Sequence, residues 1–528
     1  MILRSRSITI LLMVLAMVVA ALVWFQTSGS ESVIIQEQVG SASIYFAADR
    51  DRLVFPGECV VARWDVQSIK EVYLNGRGRV GSGQQEICLM GQLPTLRVVF
   101  LDDSSREFRL PVQRLYETPL NALLLLSLGL LVSVAAYRWL GAPAVAFFLT
   151  IVLLWPLMRV EVNQGSDMID HLFFAQSAWD AQNFARLPPH FLYHILLIGL
   201  QQLFPVLNVE NAGFIVIMTC YGVSSLVTYY LVRWRVGEPS PPSRRNLLFA
   251  VAAISLLFVN AITLDSSSGS ILRDGFINPN PYHSPTMIVM RPFALLLFGG
   301  IIWVMDSPEQ VKIKHSIGLG IGTILGTLAK PSYTVALLPA LMVVLVYRFI
   351  RRRRMGSDYR LALVFIAAVL VLIWQYRYLY DTQSASTFAS GYTSGVPQIA
   401  FSPFELLTVW WGVPWAWIIP QLLLSIAFPL AVYAAYFRQA QADLALNLAW
   451  LSLVVGVFIT YLLVEIPGQS NGNLTWSRQI ALLILFTVSA GFLLRQPLRG
   501  SRWRDNWRFI ACSLIFLAHV LNGLVKLY

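Results

Sequence analysis

Apolar runs long enough to cross a bilayer recur along this chain, and no other feature constrains its fold so tightly. From residue 119 onward they fall at 119–137, 142–158, 188–205, 212–232, 246–264, 285–305, 316–329, 331–349, 361–376, 418–437, 444–464, 477–494 and 509–526. A hydrocarbon core about 30 Å thick needs roughly 20 apolar residues in helical form. Inside it only helices or closed barrels satisfy every backbone polar group. The 528 residues are 56% hydrophobic and only 13% charged, against roughly a quarter charged in soluble domains. The sequence therefore predicts an α-helical polytopic membrane protein of about 11–14 transmembrane helices. A further apolar run, 8–25, follows Arg4 and Arg6 and ends in Trp24 and Phe25 with no small-residue cleavage site. Residues 1–28 thus read as an uncleaved anchor. Lys330-Pro331 marks a boundary between two runs, and Trp-rich 404–420 reads as an interfacial or re-entrant helix.

The formal net charge of +11 raises a nucleic-acid partner, which the distribution excludes. The arginines sit in short loops between apolar runs, with no continuous basic stripe and no nucleic-acid-binding motif. That pattern is an orientation signal. It places the loops with Arg233, Arg235, Arg244 and Arg245, with arginines 351–354, and with Arg495, Arg499, Arg502 and Arg504 in the cytoplasm. Loops near 159–187, 265–284, 377–403 and 465–476 then face outward. The expected location is the bacterial cytoplasmic (inner) membrane, multi-pass, with the N-terminus cytoplasmic. One conflict remains in the count. If 188–205 spans fully, the loop at 233–245 flips outward, so either that run is not a simple span or an earlier one is miscounted. No internal repeat of the kind seen in two-halved transporters is present.

Residues 30–116 differ from the rest. Short β-rich stretches at 41–46, 59–64, 71–74, 95–101 and 107–112 are separated by turn signals, among them Pro56-Gly57, Asn75-Gly76 and Asp102-Asp103. The expectation is a compact extracytoplasmic β-sandwich. Held outside the cytoplasm, Cys59 and Cys88 are a plausible disulfide, whereas Cys220 and Cys512 lie inside apolar runs as packing residues. The stretches PGECVVARWDV and EVYLNGRGRVGSGQQEIC resemble bacterial Ig-like domains. The resemblance implies a strand tryptophan, Trp64, packed on an inter-strand disulfide, and a domain that serves as a spacer or docks an envelope protein or glycan.

Chemistry concentrates in 161–194. Asp167, Asp170 and His171 fall at i, i+3 and i+4 and share one face of an amphipathic helix. A carboxylate held at the membrane boundary, partly desolvated, suits a general base; the same residues also fit a solvated helix face. His190 and His194, at i and i+4, fit metal ligands lacking a third partner or interfacial packing residues. SDMIDHLFFAQSAWD followed by LPPHFLYHILLIGL resembles the GT-C superfamily of membrane glycosyltransferases, which includes protein mannosyltransferases and the transferase that adds aminoarabinose to lipid A. The resemblance covers about 130–240 and implies a GT-C-like transmembrane domain over 119–528. It puts the catalytic acid at Asp167, with Asp170 the nearest alternative. Met168 stands where the family often has a second acid, and an extra span and a β domain precede the motif.

Such enzymes hold a lipid phosphate with cationic or polar groups. The candidates here are Arg273, His283, Arg291 and Arg478, with Tyr282 and Lys330 nearby. An arginine near a helix end also fits snorkelling to headgroups. The implied function is transfer of a sugar from a polyprenyl-phosphate-linked donor to an extracytoplasmic acceptor, in contact with membrane lipids. Some members use a divalent cation and others none, and the sequence leaves both open. Two other classes remain as alternatives: a polysaccharide polymerase or ligase using loop 377–403, and a transporter or structural envelope protein.

Overall fold

The computed structural model describes residues 32–53, 59–88, 94–114, 137, 141–163, 167–184, 187–237, 242–263, 276–352, 358–380, 398–466, 472–497 and 503–527. The predicted anchor 1–28 and nearly all of the predicted span 119–137 lie outside these. The chain divides into two compact units, one holding residues 1–141 and 151–169, the other 142–150 and 170–528.

Among the described residues of the first unit ten strands run β1 (Val33–Val39), β2 (Ala42–Ala48), β3 (Arg52–Leu53), β4 (Cys59–Gln67), β5 (Glu71–Leu74), β6 (Arg77–Arg79), β7 (Ser82–Cys88), β8 (Thr95–Val99), β9 (Ser105–Arg109) and β10 (Gln113–Arg114). They form two antiparallel four-stranded sheets, ordered β1-β2-β4-β7 and β6-β5-β8-β9, and a short parallel pair, β3-β10. Alternation turns Ile44, Phe46, Val60, Ala62 and Trp64 of one sheet and Val72, Leu96, Val98 and Phe108 of the other into a shared core. Asn75 and Gly76, with φ of 48° and 78°, make the tight β5–β6 hairpin.

One detail departs from the Ig-like expectation. Cys59 is disulfide-bonded, and the residue opposite it in the ladder is Cys88, on the neighbouring strand of the same sheet. Trp64 lies five residues along β4 and so points to the other face, into the core. Its indole N–H donates to the Val80 carbonyl at 2.9 Å. Opposite it stands Gly83, where a Cβ would come within 2.7 Å of the ring. Trp64 therefore packs on a glycine, not on the disulfide.

The helices are α1 (Ala142–Asn163), α2 (Asp167–Asp180), α3 (Leu192–Leu203), α4 (Val209–Val236), α5 (Pro242–Leu256), α6 (Pro285–Asp306), α7 (Ile313–Ala329), α8 (Ser332–Arg352), α9 (Ala362–Tyr380), α10 (Trp415–Ser425), α11 (Ala427–Ala435), α12 (Leu444–Leu462), α13 (Trp476–Arg495) and α14 (Trp507–Leu527). Among the described residues seven helices are long and apolar enough to cross a membrane, and the α10–α11 pair, bent by 63°, makes an eighth if it is one span. The second unit is thus a helical bundle of membrane-protein type. Caps set several boundaries. Asn208 accepts from Asn211 N at 2.9 Å to start α4, and Gly237, at φ 90°, stops it. Asp443 caps α12 by accepting from Leu446 N at 2.9 Å.

The arginines gather the helix ends. Arg235 of α4 and Arg495 of α13 both bond Oδ2 of Asp443. Arg348 of α8 holds Asp358 through Nε at 3.0 Å and Nη2 at 3.2 Å, and also the Met305 carbonyl near the end of α6. This basic end of the bundle collects the C-termini of α4, α6, α8 and α13. The starts of α6 and α13 and the end of α7 meet at the far end.

The structure bears on one side of the counting conflict. With 12 residues, α3 is about 18 Å long, too short for a core of about 30 Å. It folds back on the 28-residue α4 across a short loop. Gly213 makes room for this hairpin: a Cβ there would meet Leu172 at 2.6 Å and the Tyr193 hydroxyl at 2.7 Å. The run 188–205 therefore forms one arm of a helical hairpin and is shorter than a simple span. We expect single cysteines at Gln182 and at Val206, both exposed, to react with a membrane-impermeant maleimide from the same side of the membrane. Labelling from opposite sides would restore the span.

Segment 398–417 also departs from its sequence reading. Strand β11 (Gln398–Phe401) pairs antiparallel with β12 (Leu463–Ile466). Phe404 takes φ 63°, and Leu406–Trp410 forms a π-helical turn. The apolar run of α12 continues through Leu463 and Val464 into β12, so no periodicity signalled the strand.

Candidate functional site

The far end of the bundle carries cations that the membrane reading makes expensive. Lys330 ends α7 because Pro331 cannot continue it. It is buried, 8% exposed, and donates to Ser284 Oγ at 3.3 Å and Thr286 Oγ1 at 3.1 Å at the start of α6. Its ammonium lies 4.4 Å from the ring centre of Trp476, on the first turn of α13, and His283, itself exposed, stacks on the same indole at 5.5 Å. Arg478, two residues further along α13, is 1% exposed. Its guanidinium lies 5.8 Å from Trp411 and 5.7 Å from Tyr461.

Arg291 lies a turn and a half into α6 and is fully buried. Nη2 donates to the Pro281 carbonyl at 3.3 Å, and the Tyr221 ring lies 5.2 Å away. Its Nε and Nη1 have no hydrogen-bond partner, and no described carboxylate pairs with it. Leaving a buried charged donor unmet costs about 1–3 kcal/mol or more, and the pull of a counter-anion offsets that cost.

Three histidines complete the cluster. His171, on α2, is buried, and its Nδ1 stands 2.9 Å from His194 Nε2 on α3. The His190 ring lies 5.9 Å from that of His171. The lead-in to α3 is clamped by α9. Gln375 Nε2 donates to the Pro189 carbonyl at 3.1 Å and to the Thr327 carbonyl at 2.9 Å. The Tyr378 hydroxyl donates to the Leu187 carbonyl at 3.1 Å. The clamp brings His190 beside the Lys330 end of α7. Burial pushes His171 well below the usual imidazole range, with His194, His190 and Lys330 adding to the effect. Burial does the same to His190, followed by Lys330 and His194.

Of the residues proposed from sequence, the structure brings together His171, His190 and His194 on one side, and His283 and Lys330 around Trp476 on the other. Asp167 opens α2 half-buried, and Asp170 is exposed. Asp170 and His171 therefore do not share an environment although they were read as one face. Arg273 lies outside the described residues, as do residues 381–397 of the late loop. Among the described residues no group of three or more His, Cys, Asp or Glu side chains is arranged to hold a metal ion. Gln375 and Trp476 were missed. The available signal was a lone glutamine inside an apolar run, which in a membrane helix marks a polar contact. Searches with family models, curated proteins and solved structures found no match to this chain.

Proposed function

We propose that this protein is a membrane glycosyltransferase that binds the phosphate of a polyprenyl-linked sugar at the far end of its helical bundle and passes the sugar to an extracytoplasmic acceptor. The observation that carries the reading is Arg291, a fully buried guanidinium with two donor nitrogens unmet. Such a group asks for an anion, and arginine fits phosphate oxygens in paired geometry. Lys330 and Arg478 add positive charge at the same end of the bundle. A leaving phosphate gains negative charge as the sugar departs, and fixed cations in a poorly hydrated site stabilise that change. The resemblance of 161–194 to the GT-C superfamily supplies the reaction class.

Transfer from a panel of radiolabelled polyprenyl-phosphate sugars by the purified protein in nanodiscs tests the reading. Wild type is expected to transfer from at least one donor. Arg291→Gln should lower kcat/KM by about 30-fold, mostly through donor affinity, and Arg291→Lys should recover part of it. Equal transfer by wild type and Arg291→Gln, at equal folded fraction, would remove Arg291 from the site.

A further inference from the structure

We propose that His171, oriented by His194, accepts the proton from the acceptor hydroxyl in this reaction. The proposal rests on the glycosyl-transfer reading and differs from the position at Asp167 that the resemblance implies.

The argument starts from placement. His171 belongs to α2, His190 to the lead-in of α3 and His194 to its first turn. Nothing local brings them together. The clamp from Gln375 and Tyr378 on Leu187 and Pro189 does so, and it sets them beside Lys330. Lys330 is held by Ser284, Thr286 and Trp476. A base is thus built next to a cation suited to the donor phosphate, which brings the acceptor hydroxyl and the donor to one place. Asp170, on the same helix, faces solvent instead.

The 2.9 Å contact with His194 fixes the His171 ring. With the proton on His171 Nδ1 and donated to His194 Nε2, His171 Nε2 keeps its lone pair. The acceptor oxygen then forms its bond to the anomeric carbon as the bond from that carbon to the phosphate oxygen breaks. The electron pair leaves with the polyprenyl phosphate, and the hydroxyl proton passes to His171 Nε2. His194 is a positioning residue.

The groups facing His171 are His194 and Tyr193 from α3, His190 from the lead-in and Lys330 from the end of α7. Burial, followed by His194, His190 and Lys330, holds the imidazole well below its ordinary value of about 6.5. The acid limb of kcat/KM is therefore expected below pH 6.5.

The test uses the full chain in nanodiscs. His171→Asn should lower kcat by about 100-fold with KM changed less than threefold. His194→Gln should lower kcat less and move the acid limb to higher pH, because it removes the neighbour that adds most to burial. A merely structural role would reduce the active fraction without moving the limb. His315→Asn, at the basic end, should match wild type. His171→Asn within threefold of wild type, at equal folded fraction, would overturn the proposal. A second readout does not depend on transfer. Diethyl pyrocarbonate, which acylates neutral imidazole, should modify His171 at pH 7, and polyprenyl phosphate should protect it. His171 that stays unmodified, or is modified without protection, would overturn the proposal as well. A wild type that transfers from no donor removes the glycosyl-transfer reading, and the protection result then judges the site alone.

Discussion

Replacing Asp443 with alanine is expected to destabilise the helical bundle by about 3–5 kcal/mol, the cost of stripping one partner from a buried ion network. The Asp443 side chain is 4% exposed and serves two arginines at once, Arg235 and Arg495. It also caps α12, which adds about 1 kcal/mol. The two arginines differ in what they can do when the carboxylate is gone. Arg495 is 40% exposed and can turn to water, whereas Arg235 is 12% exposed and keeps only the more distant charge of Asp306 near it. Asp443→Asn keeps the cap and loses only the charge, so it should fall between wild type and alanine. Thermal unfolding in detergent, followed by intrinsic tryptophan fluorescence, reads both. Equal midpoints for wild type, asparagine and alanine would show that the network contributes nothing.

Gly456→Ala is expected to cost about 3 kcal/mol, at the upper end for overpacking, and to weaken donor binding as well. A Cβ on Gly456 would stand 2.8 Å from both Cα and N of Arg478 and 2.9 Å from the Ser477 carbonyl carbon. These are backbone atoms, so no rotamer change relieves the clash, and α12 and α13 must separate. Close approach of this kind is what small residues provide between membrane helices. Separation carries Arg478 away from Trp411 and Tyr461. The substitution should therefore lower both the unfolding midpoint and the affinity for polyprenyl phosphate, while Gly318→Ala, where a Cβ meets nothing within 4 Å, should change neither. An unaltered midpoint in Gly456→Ala would mean the helices are packed less tightly than described.

The fold was legible where a pattern had a single physical cause. Uniform apolar runs of bilayer length permit little besides helix, and residues 212–232 and 285–305 reappear within α4 and α6. Alternation made the sandwich strands visible in the same way. Reading failed where two structures share one pattern. Leu463 and Val464 extend the apolar run of the helix before them, and only the partner at 398–401 makes 463–466 a strand. The run 188–205 was long enough to suggest a span, but Phe204 and Pro205 end the helix at 12 residues. At the site, the buried arginines stood out because charge in an apolar run is costly. The three histidines were singled out as well, but their coming together was not legible, since it depends on Gln375 and Tyr378, nearly 200 residues further along the chain than the loop they hold.

The bend between α10 and α11 has a mechanical side. Breaking a helix by 63° strands backbone groups, and neighbours from two directions take them up. Ser425 Oγ accepts from Ile277 N at 2.9 Å and donates to the Gln421 carbonyl at 2.7 Å. His519 Nε2 receives Phe428 N at 3.4 Å while its Nδ1 bonds the Asn260 carbonyl at 2.6 Å. The kink is thereby stitched to α14 on one side and to the strand of chain leading into α6 on the other. That strand includes Pro281, whose carbonyl holds Arg291. The bond that meets the kink at Ile277 and the carbonyl that meets the buried guanidinium thus lie four residues apart on one stretch of chain.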